Sequence, residues 1–216
     1  MHVAFVVPPY TVSSNMSGVG LRVWELAQVL STCMPVTVVA KEVSDLQCPN
    51  VRFVSADETS WRRVVDDCSA AIFYDMPDTR IMLMAHRAGK LVISENTVPI
   101  EHLDYHAMRH GKDPDDNYQD LIARYKLQLL LSDHFLARSS VARSTLIAGL
   151  CQAGRLRYGH FELSRSLDHL ISCLPVGFNR RSLAHAEAAP ISLPSVEFVW
   201  SGGIWDYYDP VALIRR

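Results

Sequence analysis

Short apolar runs separated by longer stretches of mixed polarity set the pattern of this chain. Residues 2–7 (HVAFVV) are apolar at successive positions, as in a strand buried on both faces of a parallel sheet. A loop at 8–20 (PPYTVSSNMSGVG) leads into 21–30 (LRVWELAQVL). There Val23, Trp24, Leu26, Ala27 and Leu30 form one helical stripe, and Arg22, Glu25 and Gln28 lie on the other side. Further strands are predicted at 35–40 (PVTVVA), 51–54 (VRFV), 70–74 (AAIFY), 91–94 (LVIS), 133–137 (DHFLA) and 170–176 (LISCLPV). Helices are predicted at 60–68, 78–88 with Gly89 as its stop, through Tyr118, Leu121, Ile122, Tyr125 and Leu129 to about Ser132, and at 141–153 before Gly154. Residues 155–168 read as polar and irregular. The alternation argues an α/β fold, a Rossmann-like doubly wound parallel sheet.

Three parts of the chain break this rhythm. Residues 97–116 hold His102, His106 and His110 at four-residue spacing, on one face if helical. A solvated loop-helix is preferred there over a metal site, because no carboxylate partner or second shell is evident. Residues 179–195, rich in alanine with two prolines, read as a linker. A new unit then opens with a strand at 196–200 (VEFVW), a turn at 201–203 and a helix from Asp209, with Pro210 in its first turn. The expected organisation is a domain over 1–178, a linker over 179–195 and the start of a second, truncated domain over 196–216. A strand and two helical turns bury no core of their own.

Composition adds limits. The 216 residues are 49% hydrophobic, ample for a sizeable core. A net charge of −2, from 21 basic and 23 acidic residues, implies no general attraction to nucleic acid. The five cysteines (Cys33, Cys48, Cys68, Cys151, Cys173) form no CxxC or zinc pattern. Most sit among apolar neighbours and read as reduced core thiols, which suggests a cytoplasmic setting. The N-terminus runs straight into a strand, so no signal peptide is expected, and no apolar run nears the ~20 residues of a membrane span.

The candidate chemistry sits where strands end. Backbone N–H groups at the first helix can take up an anion, and Gly18 and Gly20 allow close backbone approach. The loop reads SGVG and lacks both the GxGxxG and GxxxxGK[ST] fingerprints, so a plain turn into a structural helix is the competing reading. Glu95 and Asn96 end one strand, and Arg138 and Ser139 another. In open α/β sheets, ligands bind at the carboxyl ends of the strands, so Glu95, Arg138 and Ser139 are expected to line one cleft.

The ending FVWSGGIWDYYDPVALIRR resembles the start of the C-terminal domain in a subgroup of family 4 glycosyltransferases. Those show an apolar strand, GGGI, an aromatic–Asp–aromatic run, and a DP opening a helix. Gly202, Gly203, Ile204, Trp205, Asp206, Tyr207, Tyr208, Asp209 and Pro210 stand here in that order. Upstream, DHFLARSSVARSTLIAGL is similar to that subgroup's strand, Ser, Glu, x, Gln-Arg, helix segment. Ser139 and Arg143 match, while Val141 and Ala142 depart. LPVGF at 174–178 is similar to its strand and turn before the domain linker, and SGVG to its glycine loop.

The resemblance covers nearly the whole chain and implies the N-terminal, acceptor-side half of a GT-B fold. It implies a retaining transferase that moves a sugar from a nucleotide-sugar donor to a glycan or glycolipid acceptor, with no metal and no cofactor beyond the donor as substrate. Gly18, Gly20, Gly202 and Gly203 would bind the donor phosphates. Asn96, Arg138, Ser139, Arg143 and Asp206 would line the cleft. Glu95 stands in a region where many family members carry a histidine, and would orient an acceptor or sugar hydroxyl or else be a plain strand-end carboxylate. The missing C-terminal domain is the implied partner, so this chain by itself is expected to be inactive. Peripheral attachment to the inner face of a membrane and pairing through the apolar C-terminal segment are further expectations. A non-catalytic Rossmann-like subunit needing a partner chain is the alternative.

Overall fold

A single seven-stranded sheet, parallel throughout and ordered β3-β2-β1-β4-β5-β6-β7, organises the computed structural model, which describes residues 1–42, 44–75, 77–96, 113–177 and 211. The strands are β1 (Val3–Val7), β2 (Val36–Ala40), β3 (Val51–Ser55), β4 (Ala70–Tyr74), β5 (Leu91–Glu95), β6 (His134–Ala137) and β7 (Ile171–Cys173). The helices are α1 (Gly18–Ser31), α2 (Glu58–Asp67), α3 (Thr79–Arg87), α4 (Pro114–Leu131), α5 (Ser140–Gln152) and α6 (Tyr158–Leu163). Rightward and leftward halves diverge from β1 and β4, which is the Rossmann-like doubly wound arrangement.

The unbroken apolar runs are explained by burial on both faces. Val3, Phe5 and Val7 pack with Val23 and Ala27 of α1 and with Ile72 and Tyr74 of β4. Ala4, Val6, Ala71 and Phe73 point the other way, onto Trp61, Val64 and Val65 of α2 and Ile81, Met82 and Ala85 of α3. A smaller cluster joins Leu129, Phe135, Leu150 and Ile171 at the β6–β7 side. Between α4 and β5, the buried Ser94 and Ser132 hydroxyls bond each other at 2.7 Å.

Helix ends follow from local side chains. Asp57, Asp78, Asp113 and Ser139 each accept a hydrogen bond from a backbone N–H in the first turn of α2, α3, α4 and α5. Pro114 begins α4, with Asp115 and Asp116 behind it at the positive end of the helix. Gly89 and Gly154 follow α3 and α5 at φ +66°, a backbone conformation that side chains disfavour.

Five expectations change, the first being the strand expected over 170–176, which is only Ile171–Cys173 because Pro175 cannot donate to the ladder. Helix α1 starts at Gly18 rather than residue 21, so both glycines lie inside its first turn. The stretch 155–168 contains a short helix, α6, instead of being irregular throughout. Arg22, placed on the solvent side of α1, is turned inward and is only 10% exposed. The cysteines are not mostly core thiols: Cys33, Cys151 and Cys173 are exposed, Cys48 is half-buried and only Cys68 is buried. The histidine cluster at 102, 106 and 110, the linker at 179–195 and the segment 196–216 apart from Val211 lie outside the described residues. Among the described residues no helix is long and apolar enough to cross a membrane.

The thiols give a direct check on burial. Burial pushes the Cys68 thiol above its usual range, and its Sγ donates to the Val65 carbonyl at 3.4 Å. Iodoacetamide should therefore modify Cys33, Cys151 and Cys173 at least about tenfold faster than Cys68 in the folded chain, because the thiolate is the nucleophile. Peptide mass spectrometry over a time course reads the four rates, and equally fast labelling of Cys68 would contradict this packing.

Candidate functional site

The carboxyl ends of β1 and β4 are neighbours from which the chain departs in opposite directions, to β2 and to β5. This is the switch point where open α/β sheets take their ligands. Asp75, directly after β4, is buried and sits at φ +53°. Three neighbours hold it, one through its side chain and two through its backbone. Tyr10 donates its hydroxyl to Asp75 Oδ2, Gln128 Nε2 donates to the Asp75 carbonyl at 2.8 Å, and the Asp75 N–H donates to the Glu95 carbonyl at 2.8 Å. The Tyr10 carbonyl in turn accepts from the Lys41 N–H at 2.9 Å, so the β1–α1 loop is tied to the ends of both β2 and β4.

Next to this point the structure builds a buried ionic cluster around Glu95. Glu95 closes β5, pairs in register with Tyr74 and Leu136, and its side chain has no exposed surface. Its Oε1 accepts from Arg22 Nε at 2.6 Å and from Arg138 Nε at 3.4 Å. Two guanidiniums thus share one carboxylate oxygen. Arg22 also donates to the carbonyls of Leu174 at 2.7 Å and Pro175 at 3.2 Å, just past β7. Among the described residues Glu95 Oε2, the Tyr74 hydroxyl and Gln128 Oε1 have no hydrogen-bond partner. Burial, reinforced by the charge of Glu95, drives the Tyr74 phenol well above its usual range, so it stays neutral.

The structure separates the residues singled out from the sequence. Glu95 and Arg138 touch, and Asn96 follows at the half-buried strand end. Ser139 bonds the Ala142 N–H at 3.1 Å as the cap of α5. Arg143 pairs with Asp168 at 3.3 Å. Gly18 and Gly20 stand in the first turn of α1, where the Ser17 side chain makes no capping bond, unlike the caps of α2 to α5. A Cβ on Gly18 would meet nothing within 4 Å, whereas one on Gly20 would lie 2.3 Å from the Thr11 carbonyl oxygen and 2.9 Å from Met16 Cβ. Gly20 is thus required by the loop folded over it, and replacing it would disturb the fold rather than only a ligand. Gly202, Gly203 and Asp206 lie outside the described residues.

Arg22 is the residue that sequence reasoning missed. Its position beside Glu25 and Gln28 reads as a polar face, and only the long-range pairing with Glu95 reveals its use. Nearby, a concavity of about 600 Å³ opens beyond β1, lined by Pro8, Pro9, Asp78, Thr79, Asp120 and Arg124. Among the described residues no group of three or more His, Cys, Asp or Glu side chains is arranged to hold a metal.

No protein-family model matches the chain, and no curated protein matches it. Among solved structures, a UGT transferase from Siraitia grosvenorii in complex with UDP is similar at 13% identity, with a TM-score of 0.46 over 87% of this chain. The chain spans 52% of the length of that protein.

Proposed function

We propose that this chain is the N-terminal, acceptor-side domain of a retaining glycosyltransferase of GT-B type, acting on a nucleotide-sugar donor and a glycan or glycolipid acceptor. The observation that carries the reading is the pairing of Arg22 and Arg138 on Glu95 at the carboxyl edge of a parallel sheet, next to the start of α1. The motif resemblance at 174–178 and 202–210 supports the choice of reaction. Breaking the bond from the sugar to the nucleoside diphosphate leaves negative charge on the departing phosphate oxygen. The N–H groups at the open start of α1 and the quarter-exposed Arg138 side chain are preorganised to stabilise such charge. Glu95, with no exposed surface, acts in this reading by holding the two arginines rather than by meeting the acceptor. Gly202, Gly203 and Asp206 would contribute from a second domain, and no cofactor is invoked.

That same burial of Glu95 favours a second reading, a non-catalytic Rossmann-like subunit that binds a nucleotide and needs a partner chain.

One experiment separates them. The natural polypeptide that carries this sequence is incubated with UDP-, GDP-, ADP- and dTDP-sugars and with oligosaccharide or glycolipid acceptors. Sugar incorporation with matching nucleoside diphosphate release is expected, and Arg138→Ala should slow it by about 10²-fold, as loss of one charge-stabilising donor does. Nucleotide binding without incorporation would overturn the transferase reading in favour of the binding subunit. Absence of nucleotide binding would overturn both.

A further inference from the structure

We infer that Arg22 is a positioning residue that fastens helix α1 to the chain just past β7, so that the first helix holds residues 174 and 175 against the sheet edge. The inference does not depend on the transferase reading. It begins with the weakness of β7. This edge strand has three residues, of which Ile171 is buried and Cys173 exposed. Beyond it, the Leu174 N–H donates to the Ala137 carbonyl at 2.7 Å, Pro175 has no N–H to give, and Val176 is 65% exposed. Apolar burial therefore does little to fix residues 174–176.

The guanidinium of Arg22 supplies what the strand lacks. It reaches from α1 across more than 150 positions of sequence, with Nη2 on the Leu174 carbonyl at 2.7 Å and Nη1 on the Pro175 carbonyl at 3.2 Å. The third bond, Nε to Glu95 Oε1 at 2.6 Å, holds the plane of the group in place. A planar fork of N–H donors satisfies three acceptors in one plane, and a charged donor gives a stronger bond to each carbonyl. Lysine at this position would keep the positive charge beside Glu95, but a compact ammonium on a flexible stem cannot bridge all three acceptors. This difference separates a latch from a residue that merely neutralises Glu95.

Residue-resolved amide exchange on the folded chain tests it. In Arg22→Lys the Leu174 amide should exchange about tenfold or more faster, while amides of β1 and β4 keep their protection. Arg138→Lys, which touches Glu95 but neither carbonyl, should leave Leu174 unchanged. Unaltered Leu174 exchange in a folded Arg22→Lys, or a rise spread equally over β1 and β4, would overturn the latch. Should that variant not fold, the unmutated chain decides. Exchange in urea below the unfolding transition should show the Arg22 side-chain N–H groups and the Leu174 amide opening together, and openings at different urea dependence would overturn the proposal.

Discussion

Glu95→Ala is expected to lower the unfolding free energy by about 3–5 kcal/mol, as breaking a buried ion pair from one side does. Its side chain has no exposed surface, and Arg22 beside it is only 10% exposed. Removing the carboxylate leaves the Arg22 guanidinium buried with two carbonyl acceptors and no counter-charge. Hydrogen bonds to the carbonyls offset part of the desolvation of the cation, but not its charge. Glu95→Gln should cost less, because an amide oxygen can still accept from Arg22, so the loss approaches that of a charged hydrogen bond turned neutral, about 1–2 kcal/mol. Urea denaturation of the two variants beside the parent measures both. An alanine variant within about 1 kcal/mol of the parent would show that the cluster contributes little to holding α1 on the sheet.

The size of that effect is tied to how the cluster is hidden in the sequence. Glu95 was legible as a strand-end carboxylate, because LVISE is a short apolar run stopping at an acid. So were the other strands, since a parallel sheet buried on both faces writes itself as runs of valine, isoleucine and alanine. Gly89 and Gly154 were legible as helix stops for the same kind of local reason. Arg22 was not, because helical periodicity assigns a face from neighbours three and four residues away and says nothing of a partner 73 positions on. A long side chain at the edge of an apolar stripe can carry its charge inward whenever a buried acid waits there. The cysteines misled for the complementary reason. Cys33 and Cys151 have apolar neighbours in sequence, yet near the ends of α1 and α5 they face solvent. Helix α6 escaped notice because six residues carry too few turns for a periodic signal.

The two glycines of the SGVG loop are alike in sequence and unlike in space, and the second large prediction rests on that difference. Gly20→Ala should destabilise the fold by about 2–3 kcal/mol, near the upper end of what overpacking costs. The added Cβ would sit 2.3 Å from the Thr11 carbonyl oxygen, a backbone atom that cannot swing aside. Moving it means moving the 8–17 loop. Tyr10 ties that loop to Asp75 and, through its carbonyl, to the Lys41 N–H, while the Ser14 N–H holds it to Asp45 at 2.8 Å. Alanine gains up to about 1 kcal/mol over glycine inside a helix, too little to reverse the clash. Gly18→Ala meets nothing within 4 Å, so helix propensity should decide its sign, with stability unchanged or raised by about 0.5 kcal/mol. If the start of α1 cradles an anion, Gly18→Val should weaken binding of a nucleoside diphosphate by about tenfold or more in the natural polypeptide while the melting temperature holds, because a branched side chain keeps the phosphate off the backbone. Thermal melts of the Gly18 and Gly20 variants, followed by calorimetric titration of those that fold, separate the two roles. A stable Gly20→Ala would mean that the loop yields more easily than its ties to Asp75, Lys41 and Asp45 imply, and undiminished binding by Gly18→Val would move the anion away from the start of α1.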